Sequence, residues 1–307
     1  MILSCGEALI DMLPRTSTLG EAAFAPYAGG AVFNTAMALG RLGAPAGFFS
    51  GISTDMLGEI LADTLTASKV DISHCARSAR PTTVAFVKLV NGQATYAFYD
   101  EGTAGRMLAL ADLPVLGPEV QALFVGGISL VNDPAASTYE ALQAREANAR
   151  VTMIDPNIRP GFIAGKEVEY RARIERMIAR ADIVKLSDED LHWLEGPGDL
   201  VALARGILAK GPKIVFITEG AAGARAVTAT QDRFVAAQKV TVVDTVGAGD
   251  TFNAGVLAAL HATGALTKAR LAAVSDAELD AALTLGTRAA AVTVSRAGAN
   301  PPWAHEL

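Results

Sequence analysis

The chain has 307 residues, half of them hydrophobic, and a formal net charge of −6. That length allows one large domain with an ample core, and the mild acidity disfavours nucleic acid or an anionic membrane surface as a partner. Two cysteines, Cys5 and Cys75, form neither a metal spacing nor a disulfide framework, which fits the reducing cytoplasm, and no uncharged apolar run reaches the roughly 18 residues of a membrane span.

The chain opens on a short strand-like run, residues 1–5, without the basic flank or the length of a signal peptide. It ends in Gly6-Glu7, and Asp11 follows in a region where strand ends of α/β sheets bind ligands. Gly29-Gly30-Ala31-Val32-Phe33-Asn34 opens a helix predicted to about Leu42, with Gly43 as its stop. Two glycines let a ligand approach the backbone, and Asn34 offers both a donor and an acceptor, a pair suited to sugar hydroxyls. Alone, the same stretch reads as a glycine turn with a surface Asn. A strand at 46–51 and a helix at 54–68 then set a βαβ rhythm, which predicts a mostly parallel sheet.

Residues 82–90 and 93–99 break that rhythm. They are β-prone runs joined by Asn91-Gly92, a strong signal for a type I′ hairpin turn. Period-2 spacing puts Ala94, Tyr96 and Phe98 on one face. Such a hairpin belongs to a small projecting sheet or to an ordinary sheet edge.

The βα pattern resumes with strands at 122–127 and 151–154 around a helix at 134–148. The second strand ends in Asp155-Pro156-Asn157-Ile158-Arg159-Pro160, where both prolines force a loop. Arg159 could meet a substrate or phosphate, or simply pair with Asp155. A strand at 183–186 leads into Ser187-Asp188-Glu189-Asp190, a pattern that is also an ordinary helix N-cap. A strand at 214–217 ends in Thr218-Glu219-Gly220-Ala221-Ala222-Gly223, and strands at 224–228 and 233–237 follow near a sheet edge.

The last third is organised by Asp244-Thr245-Val246-Gly247-Ala248-Gly249-Asp250. The apolar run Val240-Thr241-Val242-Val243 reads as a strand leading in, and a helix is expected from Thr251 to about His261. Small residues at 247–249 let backbone N–H groups face outward at a helix N-terminus, where an anion is favoured. Asp250 is then placed to take a proton from a hydroxyl attacking a phosphoryl group. Its ordinary pKa, about 3.9, would keep it ionised at neutral pH. The plainer reading is a glycine turn with a capping Asp. An alanine-rich helical stretch at 286–294 could flank a flat adenine or simply pack in the core.

Asp-Thr-x-Gly-Ala-Gly-Asp followed by Thr251-Phe252 resembles the second signature of the ribokinase-like (pfkB) sugar kinases. Gly29-Gly30-x-x-x-Asn34-x-Ala36 resembles the first. The likeness runs from Gly6 to Pro302. The Asp155-Pro156-Asn157-Ile158-Arg159 loop and the closing Arg296-Ala297-Gly298-Ala299-Asn300-Pro301 are most similar to the fructokinase branch of rhizobial type.

That resemblance implies a ribokinase-like three-layer α/β/α sandwich. A single catalytic domain would span 1–307, with a small β-sheet lid formed at about 11–28 and 80–104. It implies Asp250 as base with Gly247, Ala248 and Gly249 as anion hole. Asp11, Gly29, Gly30, Asn34, Phe98 and Arg159 would hold the sugar, and Ser187, Thr218, Gly220, Gly223 and Gly249 the ATP. Fructose and MgATP are the implied partners, with a homodimer through the lid in some members. Asp190 stands where the family has a magnesium-organising Glu, and Ser187 replaces an Asn there. Asp244 and the backbone of Val246 and Gly298 are candidates for a monovalent cation, potassium. A 2-keto-3-deoxygluconate kinase would need a cation in the sugar pocket, Arg106 or Arg159. A non-catalytic sugar-binding regulator would usually have lost the base or the anion hole.

Overall fold

The computed structural model describes residues 1–90 and 93–307, with side chains outside 88–96; the expected Asn91-Gly92 turn and the Ala94 and Tyr96 side chains lie outside the described residues. Strand β1 (Ile2–Cys5) leads into β2 (Leu9–Thr16) and β3 (Ala22–Gly29). Helix α1 (Ala31–Arg41), β4 (Ala46–Phe49), β5 (Gly51–Ser53), α2 (Met56–Ala67), β6 (Val70–Asp71) and β7 (Ala76–Ser78) follow. The hairpin strands are β8 (Val84–Val90) and β9 (Gln93–Tyr99). Then come β10 (Ala122–Gly126), α3 (Ala135–Glu146), β11 (Val151–Asp155), α4 (Pro160–Ile163), α5 (Glu167–Arg180) and β12 (Ile183–Ser187). The chain closes with α6 (Asp188–Glu195), α7 (Leu200–Leu208), β13 (Ile214–Thr218), β14 (Gly223–Val227), β15 (Asp232–Ala236), α8 (Ala248–Ala262), α9 (Lys268–Leu271) and α10 (Asp276–Val294).

The central sheet has the order β15-β14-β13-β12-β11-β10-β1-β4-β6. From β13 to β6 the pairing is parallel, and β14 and β15 add an antiparallel edge. Its central strands, such as β1, β10 and β11, are buried on both faces, as a parallel sheet covered by helices requires. Alternation along each strand builds two cores. Ile2, Phe48, Phe124 and Phe216 pack with α1, α2, α8 and α10 on one face. Leu3, Val125, Ile154 and Ile217 pack with α3, α5, α6 and α7 on the other. The result is the expected three-layer α/β/α sandwich.

A second, four-stranded sheet stands apart, in the order β3-β2-β8-β9. It explains why the hairpin interrupted the βα rhythm. Asp11 lies inside β2, opposite Tyr27 of β3, so it sits on a strand of the small sheet and not in a turn after β1. One face of this sheet carries an aromatic row: Phe24 meets Phe86 edge-on at 5.1 Å, and Phe86 meets Tyr99 at 5.8 Å.

The run 240–243 is not a strand. Its backbone bonds go to the end of α10, with Val243 N–H donating to the Val294 carbonyl at 2.8 Å. Its valines are instead half-exposed, Val242 by 60%. β15 is the edge of the sheet, and the run passes it by to lie against the end of α10. Helices α8 and α10 meet backbone to backbone: a β-carbon on Gly255 would fall 2.6 Å from the Gly286 Cα.

Candidate active site

Helix α8 begins one turn earlier than its sequence suggests, at Ala248, so the small residues are its first turn. Gly247 is its N-cap in the left-handed region, φ 78°, and a β-carbon there would lie 2.8 Å from Ala299. Glycine is required on both counts. The N–H of Thr251 makes the first intrahelical bond, to Gly247 O. The N–H groups of Gly249 and Asp250 precede it and, as at any helix start, have no acceptor within the helix. The sequence pattern leads one to expect an anion at donors of this kind.

Asp250 is buried at 7% exposure. Its Oδ2 accepts from Asn34 Nδ2 at 2.9 Å, and its carbonyl accepts from Thr35 Oγ1 at 3.1 Å. Burial pushes its carboxyl up to about 7, against the Asn34 hydrogen bond, which lowers it; Asp155 raises it further and Lys185 lowers it. The ordinary carboxylate value expected from sequence therefore does not hold. Desolvation of the charged form outweighs the favourable donors.

A buried polar network lies beneath the turn. Asp155, at the end of β11, accepts from Lys185 Nζ at 3.1 Å and from Asn253 Nδ2 at 2.7 Å through one oxygen. Its other oxygen accepts from Asn157 N–H. Asp155 thus pairs with Lys185, and Arg159 is left exposed on the loop, donating to Ile158 O. Arg159 is not brought into the described cavities.

A cleft of 590 Å³ leads to this turn. Ser187, Thr218, Gly220, Gly223 and Gly249 all line it, so the five residues expected at a nucleotide share one wall-to-wall space. Val240, Val242, Ala290 and Val294 supply its apolar side. That is why the 240–243 run is hydrophobic without being a strand. An apolar slot ending at a helix N-terminus suits a flat base with a phosphate tail.

On the small-sheet side, Asp11 Oδ2 lies over Gly29, 2.6 Å from where a β-carbon would stand. Burial raises the Asp11 carboxyl to about 6. Gly30 is the N-cap of α1, φ 111°, and Asn34 lies one turn along that helix. Glu7 caps the same helix: its Oε1 accepts from Ala31 N–H at 2.9 Å, and its Oε2 from Ser129 N–H at 3.2 Å. A narrow 40 Å³ cavity lies between the two sheets, lined in part by Glu7, Phe98, Asp100 and Arg106. Phe98 of β9 packs edge-on against Phe162 of α4 at 5.1 Å, joining the small sheet to the body.

Asp244 binds the turn to the closing loop, accepting from Val246 N–H at 3.0 Å and Gly298 N–H at 2.9 Å. The three cation candidates therefore do meet. Ser187 and Asp190 form the capping box of α6, and Asp190 also accepts from Ile158 N–H. Both Asp190 oxygens are thus engaged by amides. Burial raises its carboxyl, with Asp155 adding to the effect.

Sequence reasoning passed over Glu7, Lys185 and Asn253. Lys185 carried a signal: a lysine inside an otherwise apolar, buried strand needs a partner. Asn253 follows Asp250 by one helical turn and so shares its face.

The sequence matches the profile of the pfkB family carbohydrate kinases over residues 1–306. It is 61% identical over 279 residues to a fructokinase of Rhizobium leguminosarum bv. trifolii, covering 91% of this chain and 85% of that protein. The fold superposes on a fructokinase of Xylella fastidiosa solved with bound ATP, TM-score 0.87 at 27% identity, covering 97% of this chain and 93% of that one. It also superposes on a double-mutant fructokinase of Vibrio cholerae O395 holding fructose, ADP and a potassium ion, TM-score 0.83 at 26% identity, with coverage of 97% and 93%. The chain belongs to the pfkB family of carbohydrate kinases.

Proposed function

We propose that this pfkB-family kinase is a fructokinase, transferring the γ-phosphoryl group of ATP to a hydroxyl of fructose. The observation that carries the reading is the junction at Gly249-Asp250. There a 590 Å³ cleft ends at unpaired helix N–H groups, beside a carboxylate held by Asn34. The identity to a rhizobial fructokinase supports the choice of sugar.

In this mechanism the adenine lies between the 240–242 run and α10, and the phosphates reach the first turn of α8. Asp11, Gly29, Gly30 and Asn34 hold the sugar. Asp250 accepts the proton of the attacking hydroxyl as the bond to phosphorus forms. The N–H groups of residues 247–250 meet the charge that builds on the transferred group. Phosphoryl transfer is chiefly positioning and charge stabilisation, so a carboxylate of modest basicity suffices. The small sheet acts as a lid that excludes water and limits wasteful ATP hydrolysis.

Magnesium would neutralise the nucleotide phosphates. Among the described residues no group of three or more His, Cys, Asp or Glu side chains is gathered for an ion. The ion would therefore be held by phosphates and water, with Asp190 touching it through water. Potassium would sit by Asp244, Val246 and Gly298, steadying the turn. The aromatic row on β3, β8 and β9 is the surface through which a homodimer would form. Among the described residues no helix is long and apolar enough to cross a membrane, and the cytoplasm, where ATP is abundant, is the proposed compartment.

A 2-keto-3-deoxygluconate kinase is disfavoured by one observation. Arg106 is committed to Asp100 at 2.8 Å and to the Asp133 carbonyl, and Arg159 is exposed, which leaves neither poised for a sugar carboxylate. A sugar-binding regulator is disfavoured by the retained base and turn. The test is ADP release with fructose, ribose, ketodeoxygluconate, adenosine and fructose 6-phosphate. Fructose is expected to dominate; dominant turnover of any other acceptor overturns the assignment.

A further inference from the structure

Lys185 is a buried lysine on the central strand β12, 5% exposed, on a strand whose other buried residues, Ile183, Val184 and Leu186, are apolar. Two features show where its charge points. Its Nζ donates to Asp155 Oδ2 at 3.1 Å. A β-carbon on Gly249 would stand 3.2 Å from the same Nζ, so the ammonium lies directly against the second residue of α8. Asp155 has its remaining contacts with Asn253 Nδ2 and Asn157 N–H, which fix it between β11 and α8.

We propose that Lys185 is a positioning residue for phosphoryl transfer: its amino group, held by Asp155 against Gly249, is the cationic partner beneath the Gly247–Asp250 turn that favours the charged form of the neighbouring base. The inference rests on Asp250 being the base. Burial alone would keep that carboxyl protonated, and a protonated acid cannot take a proton from an alcohol. Among the described residues, Asn34 from α1, Glu7 from the connection between β1 and β2, Asp155 from β11 and Lys185 from β12 act on it. Glu7 and Asp155 oppose its ionisation, whereas Asn34 and Lys185 favour it. Lys185 is the cation among them. It also explains Gly249 independently of backbone geometry, since a side chain there would meet the ammonium. The same charge adds to the helix N–H groups that attract the transferred phosphate.

The experiment uses the full chain with ATP and fructose, measuring initial rates from pH 5 to 9. Lys185→Met should lower kcat by roughly 10- to 100-fold while leaving the fructose KM within about 3-fold. It should also move the acid limb of kcat/KM to higher pH by about one unit. Lys185→Arg should bring the limb back towards wild type. Asp155→Asn removes the opposing charge, so its limb should move the other way, to lower pH; Lys185→Gln, which keeps a hydrogen-bond donor for Asp155 without the charge, decides the matter if Lys185→Met does not fold. Unmoved limbs in folded variants, or limbs that move in the same direction, overturn the proposal. Asp250→Asn run alongside separates the two readings: full activity there sinks the base assignment itself, whereas an inactive Asp250→Asn with unmoved limbs at Lys185 and Asp155 sinks only the role of the lysine.

Discussion

Asn34 and Asp250 are 216 positions apart in sequence and 2.9 Å apart in space, the amide of one donating to the carboxylate of the other. The contact joins the residue expected to hold the sugar to the residue expected to deprotonate it. A hydroxyl bound at Asn34 is therefore delivered beside the base. The buried Oδ1 of Asn34 has no partner among the described residues, which leaves it an acceptor for such a hydroxyl.

Replacing Asp250 with Asn keeps the shape and removes the proton acceptor. Turnover should fall by roughly 10²–10⁴-fold, with fructose affinity by calorimetry nearly unchanged. Wild-type turnover would falsify the assignment of the base.

The same variant should change stability in a direction opposite to activity. The folded Asp250 carboxyl titrates near 7, above its unfolded value, so the folded state binds the extra proton between about pH 4 and 7. Stability is lost as pH rises through that window. Asp250→Asn should therefore melt higher than wild type at pH 8, by up to about 4 kcal/mol from roughly three pH units at 1.36 kcal/mol each. At pH 4 and below the gain should vanish. Thermal denaturation at the two pH values decides; equal melting at pH 8 would show that burial does not raise this group.

Asn34→Ala removes a hydrogen bond to the ionised form of the base. The acid limb of kcat/KM should move to higher pH, and the fructose KM should rise, because a sugar contact is lost as well. Rate profiles over pH test both, and a variant with an unchanged limb would show that the 2.9 Å contact is idle in the working enzyme.

Phe162→Ala removes the partner of Phe98 and loosens the small sheet from the body. Aromatic pairs contribute about 0.5–1.5 kcal/mol beyond area. The fructose KM should rise by roughly 2- to 12-fold for that energy, with the ATP KM steady. A rise confined to ATP would place this contact elsewhere in the cycle.

Gly255→Val should destabilise by about 1–3 kcal/mol or more. The added side chain meets the Gly286 backbone, which cannot give way without parting α8 from α10. Denaturant unfolding would register the change, and unchanged stability would mean the helices can slide.

Local chemistry made much of this legible beforehand. The glycine-rich turns and the β-prone runs follow backbone rules that act within a few residues, so the start of α1, the parallel sheet and the separate hairpin strands could be anticipated, although α8 starts a turn earlier than expected. The misses share another cause. The run 240–243 has strand composition, but whether it finds a ladder depends on where the sheet stops. The sequence places Asp11 at the start of the small sheet and near a ligand, but only the pairing with Tyr27 and Ala85 shows that β2 already runs through it. The Lys185–Asp155 pair spans 30 positions and replaced the local Asp155–Arg159 pairing that proximity in sequence suggests. The raised Asp250 pKa follows from burial, which no window of sequence reports.

Asp11 rides on β2 of the small sheet, whereas Asp250 is rooted in α8 of the body. Neither half alone carries both acids that would grip the acceptor. A nucleotide bound without sugar would face a base that has no alcohol to act on. With those roles, a productive transfer would need the small sheet and the body to meet around the acceptor.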